Sequence, residues 1–167
     1  QDCRVKSLKL KKKMFRDSSR ELSREEYERL LKAARDTGKD NLMLIIETIC
    51  STGIRVSEIK YITVESVGDG KAEIFLKGKI RTILIPNKLC HKLRKFAQKN
   101  KITSGEIFLS ERGRPIDRRT IWAAMKSICH EAGVESSKVF PHNLRHLFSR
   151  IYYNMTKDIV GLADILG

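Results

Sequence analysis

Two short stretches of this chain gather side chains suited to handling a phosphate. The first is Thr52-Gly53-Ile54-Arg55-Val56-Ser57-Glu58. A glycine turn that opens onto a helix start leaves backbone N–H groups unmatched, which favours an anion. The planar guanidinium of Arg55 adds a fork that fits two phosphate oxygens. The same arginine can instead pair with Glu58, three residues on, as a structural salt bridge. The second stretch is His142-Asn143-Leu144-Arg145-His146. On a helix, His142 and Arg145 share a face, and an acid or base beside an anion clamp suits phosphoryl transfer. His146 lies one turn from His142, as a metal pair would. No third ligand at suitable spacing accompanies them, and the carboxylate of an HExxH motif is missing, so the expectation is no metal. A histidine at the edge of the core, bonded to backbone, is the other reading of His146. A third feature is Lys77-Gly78-Lys79. A hairpin tip can carry an ammonium into a groove and protonate a leaving oxygen there; a lysine in a turn is otherwise simply solvated.

The elements that must position these groups are legible from period and punctuation. Ser23-Arg24-Glu25-Glu26 reads as a capping box. It is followed at helical spacing by Tyr27, Leu30, Leu31 and Ala34, with Gly38 closing the helix. A second helix is expected from about Asp40 to Cys50, broken by Thr52-Gly53, and a short third from near Val56. The period then changes. Ala72 to Leu76 and Ile80 to Ile85 are β-rich runs around Lys77-Gly78-Lys79, which predicts a hairpin. Val64 to Val67 before Gly68-Asp69-Gly70 suggests a further short strand. Pro86-Asn87 opens another helix, with Leu89, Leu93 and Phe96 on one face. Asp117 is placed to cap the helix carrying Ile121, Trp122, Met125 and Ile128, which Gly133 closes. Pro141 starts the helix of the second chemical cluster, and Thr156 is the expected cap of a last helix through Ile165. The fold class that follows is α+β, mainly helical with one small antiparallel sheet.

The 167 residues amount to one domain, long enough to bury roughly 70% of the unfolded surface. An apolar content of 41% fits a globular chain. No run of about 18 apolar residues occurs, so no membrane span is expected, and no apolar h-region marks a signal peptide. Cys3, Cys50, Cys90 and Cys129 are far apart, which argues for reduced thiols in a cytosolic protein. Lysine and arginine total 34 against 20 acidic residues, a net charge of +14. That excess favours polyanions, since each neutralised phosphate releases counterions. Residues 1–20 are basic and irregular, read either as a linker from an upstream domain or arm on phosphates, or as a solvated end; residues 21–167 form the domain proper.

Taken in order, Thr-Gly-Ile-Arg-Val-Ser-Glu, a lysine on a hairpin, His-Asn-Leu-Arg-His and a closing Leu-Ala-Asp-Ile-Leu-Gly resemble the catalytic domain of the tyrosine recombinase, or phage integrase, family over about residues 21–167. The resemblance implies a site-specific DNA recombinase of phages or other mobile elements that cleaves and rejoins strands through a 3′-phosphotyrosyl intermediate, with no cofactor. By match, Arg55 and Arg145 clamp the phosphate, Lys77 (or Lys79) protonates the leaving 5′-oxygen and His142 serves as acid/base. Glu58 supports Arg55, and His146 has no assured chemical role. In the family, Leu-Gly is followed by a His or Trp and then the tyrosine. The resemblance therefore implies that the nucleophile is absent from this chain, which alone binds DNA without forming an adduct. Tyr152 and Tyr153 are poor substitutes, lying two turns beyond Arg145. The implied partner is double-stranded DNA, bound as a homotetramer by the full-length protein, with the free 167-residue chain a monomer. The implied location is the bacterial cytoplasm, at the nucleoid. Three other readings remain: a helix-turn-helix binding module, a type IB topoisomerase, and a ribosomal or RNA-binding protein.

Overall fold

The computed structural model describes residues 18–167; most of the basic lead lies outside the described residues. A short 3-10 turn at Ser18–Arg20 leads into helix α1, Arg24–Asp36. Ser23 starts it as expected: its hydroxyl accepts from the Glu26 N–H (3.1 Å) while Glu26 Oε1 accepts from the Ser23 N–H (3.0 Å). Helix α2, Asp40–Thr52, is the centre of the molecule. Leu42, Leu44, Ile45, Ile46, Ile49 and Cys50 are all buried, more than one stripe of the helix, because α2 is covered from several sides rather than one. Its neighbours include α1, α4 (Asn87–Lys99), α5 (Arg118–Ser127) and α7 (Pro141–Thr156).

After α2 the chain turns through a 3-10 helix, Val56–Tyr61, and then forms α3, Val64–Asp69. The strand expected at Val64 to Val67 is therefore a helix. The reason is a reciprocal cap: Thr63 Oγ1 accepts from the Ser66 N–H (3.0 Å) and Ser66 Oγ accepts from the Thr63 N–H (2.8 Å). Gly70 then stops the helix at φ +73°. Caps at both ends outweigh the β preference of two valines, which is a weak prior in any case.

Strands β1 (Lys71–Leu76) and β2 (Lys79–Leu84) pair antiparallel, with Leu76 opposite Lys79 and Ile74 opposite Arg81. Lys77 and Gly78 are the two central turn residues at φ +50° and +74°, the positive-φ pair that a two-residue type I′ hairpin requires. The turn is thus Lys77-Gly78 alone, and Lys79, expected between the strands, is the first residue of β2. One face of the ribbon buries Ala72, Ile74 and Ile83, and Arg81 lies on that same face by register.

In the second half, Asp117 caps α5 by accepting from the Thr120 N–H at 2.7 Å. A short α6, Cys129–Ala132, follows and ends at Gly133. Pro141 occupies the first turn of α7. Helix α8 is Ile159–Leu166, and its cap is Asp158, whose carboxylate accepts from the Gly161 N–H (2.9 Å). Thr156, the expected cap, is instead the last residue of α7 and accepts from the Asp158 N–H (3.2 Å). The two helices meet through a left-handed Lys157 at φ +55°. Helix α8 packs on both α7 and β2, so it closes one side of the hairpin. Cys50, Cys90 and Cys129 are free and buried. Among the described residues no helix is long and apolar enough to cross a membrane.

Because α2 is packed on several sides, truncating its core should be felt throughout. Ile46 is fully buried, and Ile46→Ala is expected to cost about 2–5 kcal/mol, read as a lower midpoint in denaturant unfolding with an unchanged slope.

Candidate functional site

The end of α2 builds the first part of the site. Gly53 caps the helix in the left-handed region at φ +73°, its N–H bonded to the Ile49 carbonyl. The Phe148 ring of α7 lies directly over it, so that a Cβ at this position would sit 2.5 Å from Cδ1. The turn also aims the Gly53 carbonyl at α7, where Arg145 Nε donates to it at 2.6 Å. Two demands, positive φ and close approach of a ring, thus require glycine here.

Arg145 uses its other end on α8. Its Nη2 donates to the Leu166 carbonyl, and Arg55 Nη2 donates to the Gly167 carbonyl at 3.5 Å. Two guanidiniums from distant parts of the chain thus meet the same stretch of backbone at Leu166 and Gly167.

Glu58 is the carboxylate of the cluster, with its side chain only 7% exposed. Its Oε1 accepts from the Arg55 backbone N–H (2.8 Å) and from Arg81 Nη2 (2.7 Å). The Arg55 guanidinium is farther off, 3.6 Å from Oε2, and is 37% exposed. Burial pushes the Glu58 carboxyl up. The Arg81 hydrogen bond, the Arg55 N–H and both guanidinium charges outweigh that and hold it below the usual range. The expected Arg55–Glu58 pair exists, but Arg81 is the closer partner.

Arg81 is the member that motif reading missed. A signal was present. With Lys77-Gly78 as a two-residue turn, Ile74 must face Arg81, and Ala72 and Ile74 alternate with the charged Lys71 and Glu73. Period two therefore puts Arg81 on the inward face.

The accumulated positive charge is visible in its neighbours. Burial lowers the Arg145 guanidinium to about 10, with Arg55 and Arg81 adding to the effect and Glu58 opposing it; it remains charged at neutral pH. His142 is depressed by burial and then by Arg145 and Arg55. His146 is depressed by burial, by His142 and by Arg150, with Glu21 opposing. The two imidazoles meet edge to face, ring centroids 4.7 Å apart. A neutral imidazole beside two guanidiniums is able to accept a proton.

The hairpin completes the arrangement. A groove of about 790 Å³ runs between the ribbon and α8, lined among others by Arg55, Lys77, Lys79, Arg81 and Asp164. Both tip lysines are exposed. The structure thus brings Arg55, Arg145, His142 and Glu58 together, and Lys77 and Lys79 line a groove that reaches Arg55. His146 stands one turn along α7, toward Arg150 and Glu21. Among the described residues no group of three His, Cys, Asp or Glu side chains is placed to hold a metal.

Two outcomes follow. Gly53→Ala should cost roughly 1–3 kcal/mol, since alanine must hold a left-handed backbone and displace the Phe148 ring; a thermal melt measures it. Both histidines bind protons less readily in the folded chain than at their ordinary value near 6.5. The unfolded state then takes up more protons below that pH, so this stability is present above about 6.5 and is lost as pH falls through it. Denaturant unfolding between pH 7.5 and 5.5 should show the decline, with a shallower slope in His142→Gln/His146→Gln.

The sequence model described as the phage integrase family matches residues 20–167. Tyrosine recombinase XerA of Thermococcus kodakarensis is 29% identical over 93% of this chain and 56% of its own length. Tyrosine recombinase XerH of Campylobacter jejuni is 30% identical over 87% of this chain and 44% of its own. The chain thus spans about half the length of these curated relatives. Among solved structures, XerA recombinase superposes with a TM-score of 0.73 at 23% identity, over 87% of this chain and 53% of that one. Lambda integrase (residues 75–356) bound to DNA superposes with a TM-score of 0.69 at 21% identity, over 88% and 55%; both likenesses concern the fold. With a family match running from residue 20 to residue 167, this chain belongs to the phage integrase family.

Proposed function

We propose that this chain is the catalytic domain of a site-specific DNA recombinase that cleaves and rejoins strands through a 3′-phosphotyrosyl link. The observation that carries the reading is the convergence of Arg55 and Arg145 beside a depressed His142, with Arg55 lining a groove that also holds the two exposed lysines of the hairpin tip. In this reading Arg55 and Arg145 bind the non-bridging oxygens of the scissile phosphate, where negative charge builds as a fifth oxygen approaches phosphorus. A tyrosine oxygen forms the new P–O bond and its proton passes to His142. The bond from phosphorus to the 5′-oxygen breaks, and Lys77 gives that oxygen its proton. Attack by the 5′-hydroxyl of a partner strand reverses the steps. Energy is conserved in the phosphodiester, so no nucleotide is consumed. Lys77 is favoured over Lys79 because it stands at the turn itself. Glu58 supports Arg55, and His146 flanks His142.

The chain's four tyrosines lie in packed or ring contacts. Tyr27 is packed against the core, and the Tyr61 hydroxyl donates to the Phe75 carbonyl (3.4 Å). Tyr152 lies on the Phe148 ring, and Tyr153 sits under the Lys157 ammonium. The proposal therefore takes the attacking tyrosine from outside residues 1–167. The net charge of +14 supports double-stranded DNA as the partner, as does the DNA-bound state of the lambda integrase and XerH structures. Residues 1–20 would extend that contact as a basic arm ahead of the catalytic domain at 21–167. The working assembly is a homotetramer on two DNA sites, at the bacterial nucleoid, and the free chain is a monomer.

Covalent trapping tests the reading. The full-length protein is mixed with a nicked duplex carrying its recombination site, beside Arg145→Ala and the 167-residue chain alone. An adduct is expected with the native protein, formed roughly 10²–10³ more slowly in the variant, and none with the isolated chain. DNA binding with no adduct from the native protein would reduce the function to binding alone.

A further inference from the structure

Arg81 belongs to none of the motifs that mark the family site, yet it is the best-placed partner of the Glu58 carboxylate. Its side chain is 12% exposed. Its Nη2 donates to Glu58 Oε1 at 2.7 Å. Its Nε is buried with no hydrogen-bond partner among the described residues. Its Nη1 lies against the end of α8, where a Cβ on Gly167 would come within 2.6 Å. A guanidinium held so tightly, with a donor left unmatched, is fixed by its surroundings and cannot swing away.

The consequence falls on Arg55. A carboxylate beside a guanidinium tends to take the fork in a short, two-bond pair, and a fork spent in that way is not offered to a phosphate. Here the pair has not closed: Arg55 Nη1 stands 3.6 Å from Oε2, Nη2 makes only a long 3.5 Å bond to the Gly167 carbonyl, and the side chain keeps 37% exposure. Glu58 Oε1 is already committed to Arg81 and to the Arg55 backbone N–H. A buried carboxylate must have a cation, and without Arg81 the nearest one left is the Arg55 side chain.

We propose that Arg81 is a positioning residue that holds Glu58 off the Arg55 fork, leaving that fork free for the scissile phosphate. The role rests on the strand-cleavage reading above. Arg81 acts through Glu58 and does not itself touch the phosphate. The field of a third guanidinium also reaches Arg145, but hydrogen-bond geometry assigns Arg81 to Glu58.

The test is single-turnover trapping by the full-length protein on a nicked duplex, built on the site recovered by sequencing the DNA that the native protein captures covalently. Arg81→Met removes the charge and keeps most of the bulk; it is expected to slow adduct formation by roughly tenfold to a hundredfold. Arg81→Met/Glu58→Gln should recover most of that loss, because no carboxylate remains to claim Arg55. Arg81→Lys restores a cation in case the methionine variant fails to fold, and should retain more activity than Arg81→Met. A purely structural role predicts losses that add, with no recovery in the double variant. If Arg81→Met cleaves as fast as the native protein, or if the double variant is no faster than the single while both melt with the native protein, the positioning role is overturned and the cleavage reading stands. If the native protein captures no DNA, the cleavage reading falls and takes the Arg81 role with it.

Discussion

Three guanidiniums cannot share a half-buried corner unless something negative shares it with them. Arg55, Arg81 and Arg145 meet at such a corner, and the charges of Arg55 and Arg81 help to lower the Arg145 guanidinium. One carboxylate, Glu58, supplies formal negative charge. The carbonyls of Gly53, Leu166 and Gly167, each accepting from a guanidinium, add partial negative charge. The compensation is incomplete, and the remaining positive potential is what an incoming phosphate would meet. The placement of four elements follows from this balance. The end of α2, the start of α7, the end of α8 and the inner face of β2 each contribute a group, and none of them can move far without exposing an unpaired charge.

The cluster separates fixed from available charge. Arg145 is tied at both ends, to α2 through Nε and to α8 through Nη2. Arg81 is pinned beneath the ribbon. Arg55, with only long contacts to Glu58 and the Gly167 carbonyl, and the tip lysines keep solvent exposure. A preorganised positive site stabilises a charge that develops only during reaction, with little reorganisation at that moment. The same arrangement costs the protein something: two histidines that burial and nearby cations make harder to protonate, and a buried Nε on Arg81 without a partner among the described residues. Sites of this kind concentrate unfavourable local terms that the surrounding packing must offset.

That packing is supplied mainly by α2. Its apolar residues face α1, α4, α5 and α7, which fixes where its C-terminal end emerges. The turn at Gly53 then converts a packing element into a functional one. The backbone reverses at positive φ, Phe148 closes over the glycine, and the freed carbonyl is delivered to Arg145. The hairpin is positioned differently, through α3 and the 3-10 helix below β1 and through α8 beside β2. Its outer face carries exposed Phe75, Ile80 and Leu84, while its inner face carries Arg81 into the cluster.

Much of this was legible in the chain. The capping box at Ser23, the Asp117 cap, the glycine stops, the Pro141 start and a hairpin turning at Gly78 act over a few residues, so local chemistry determined them. The α+β class and the two chemical stretches followed. The same locality explains the errors: valines at 64 and 67 look β-prone until the Thr63–Ser66 cap is counted, and Asp158 competes with Thr156 for one helix start. What the tertiary structure alone decided is who pairs with whom. By spacing, Glu58 belonged to Arg55, three residues away; in the fold its close partner is Arg81, 23 residues on. Arg145 bonds a carbonyl 92 residues earlier, and Arg55 one 112 residues later. Hydrogen bonds and ion pairs reach only a few ångströms. Which groups come within that reach is set by how α2, α7, α8 and the hairpin pack around one core, and side-chain spacing along the chain carries no measure of that distance.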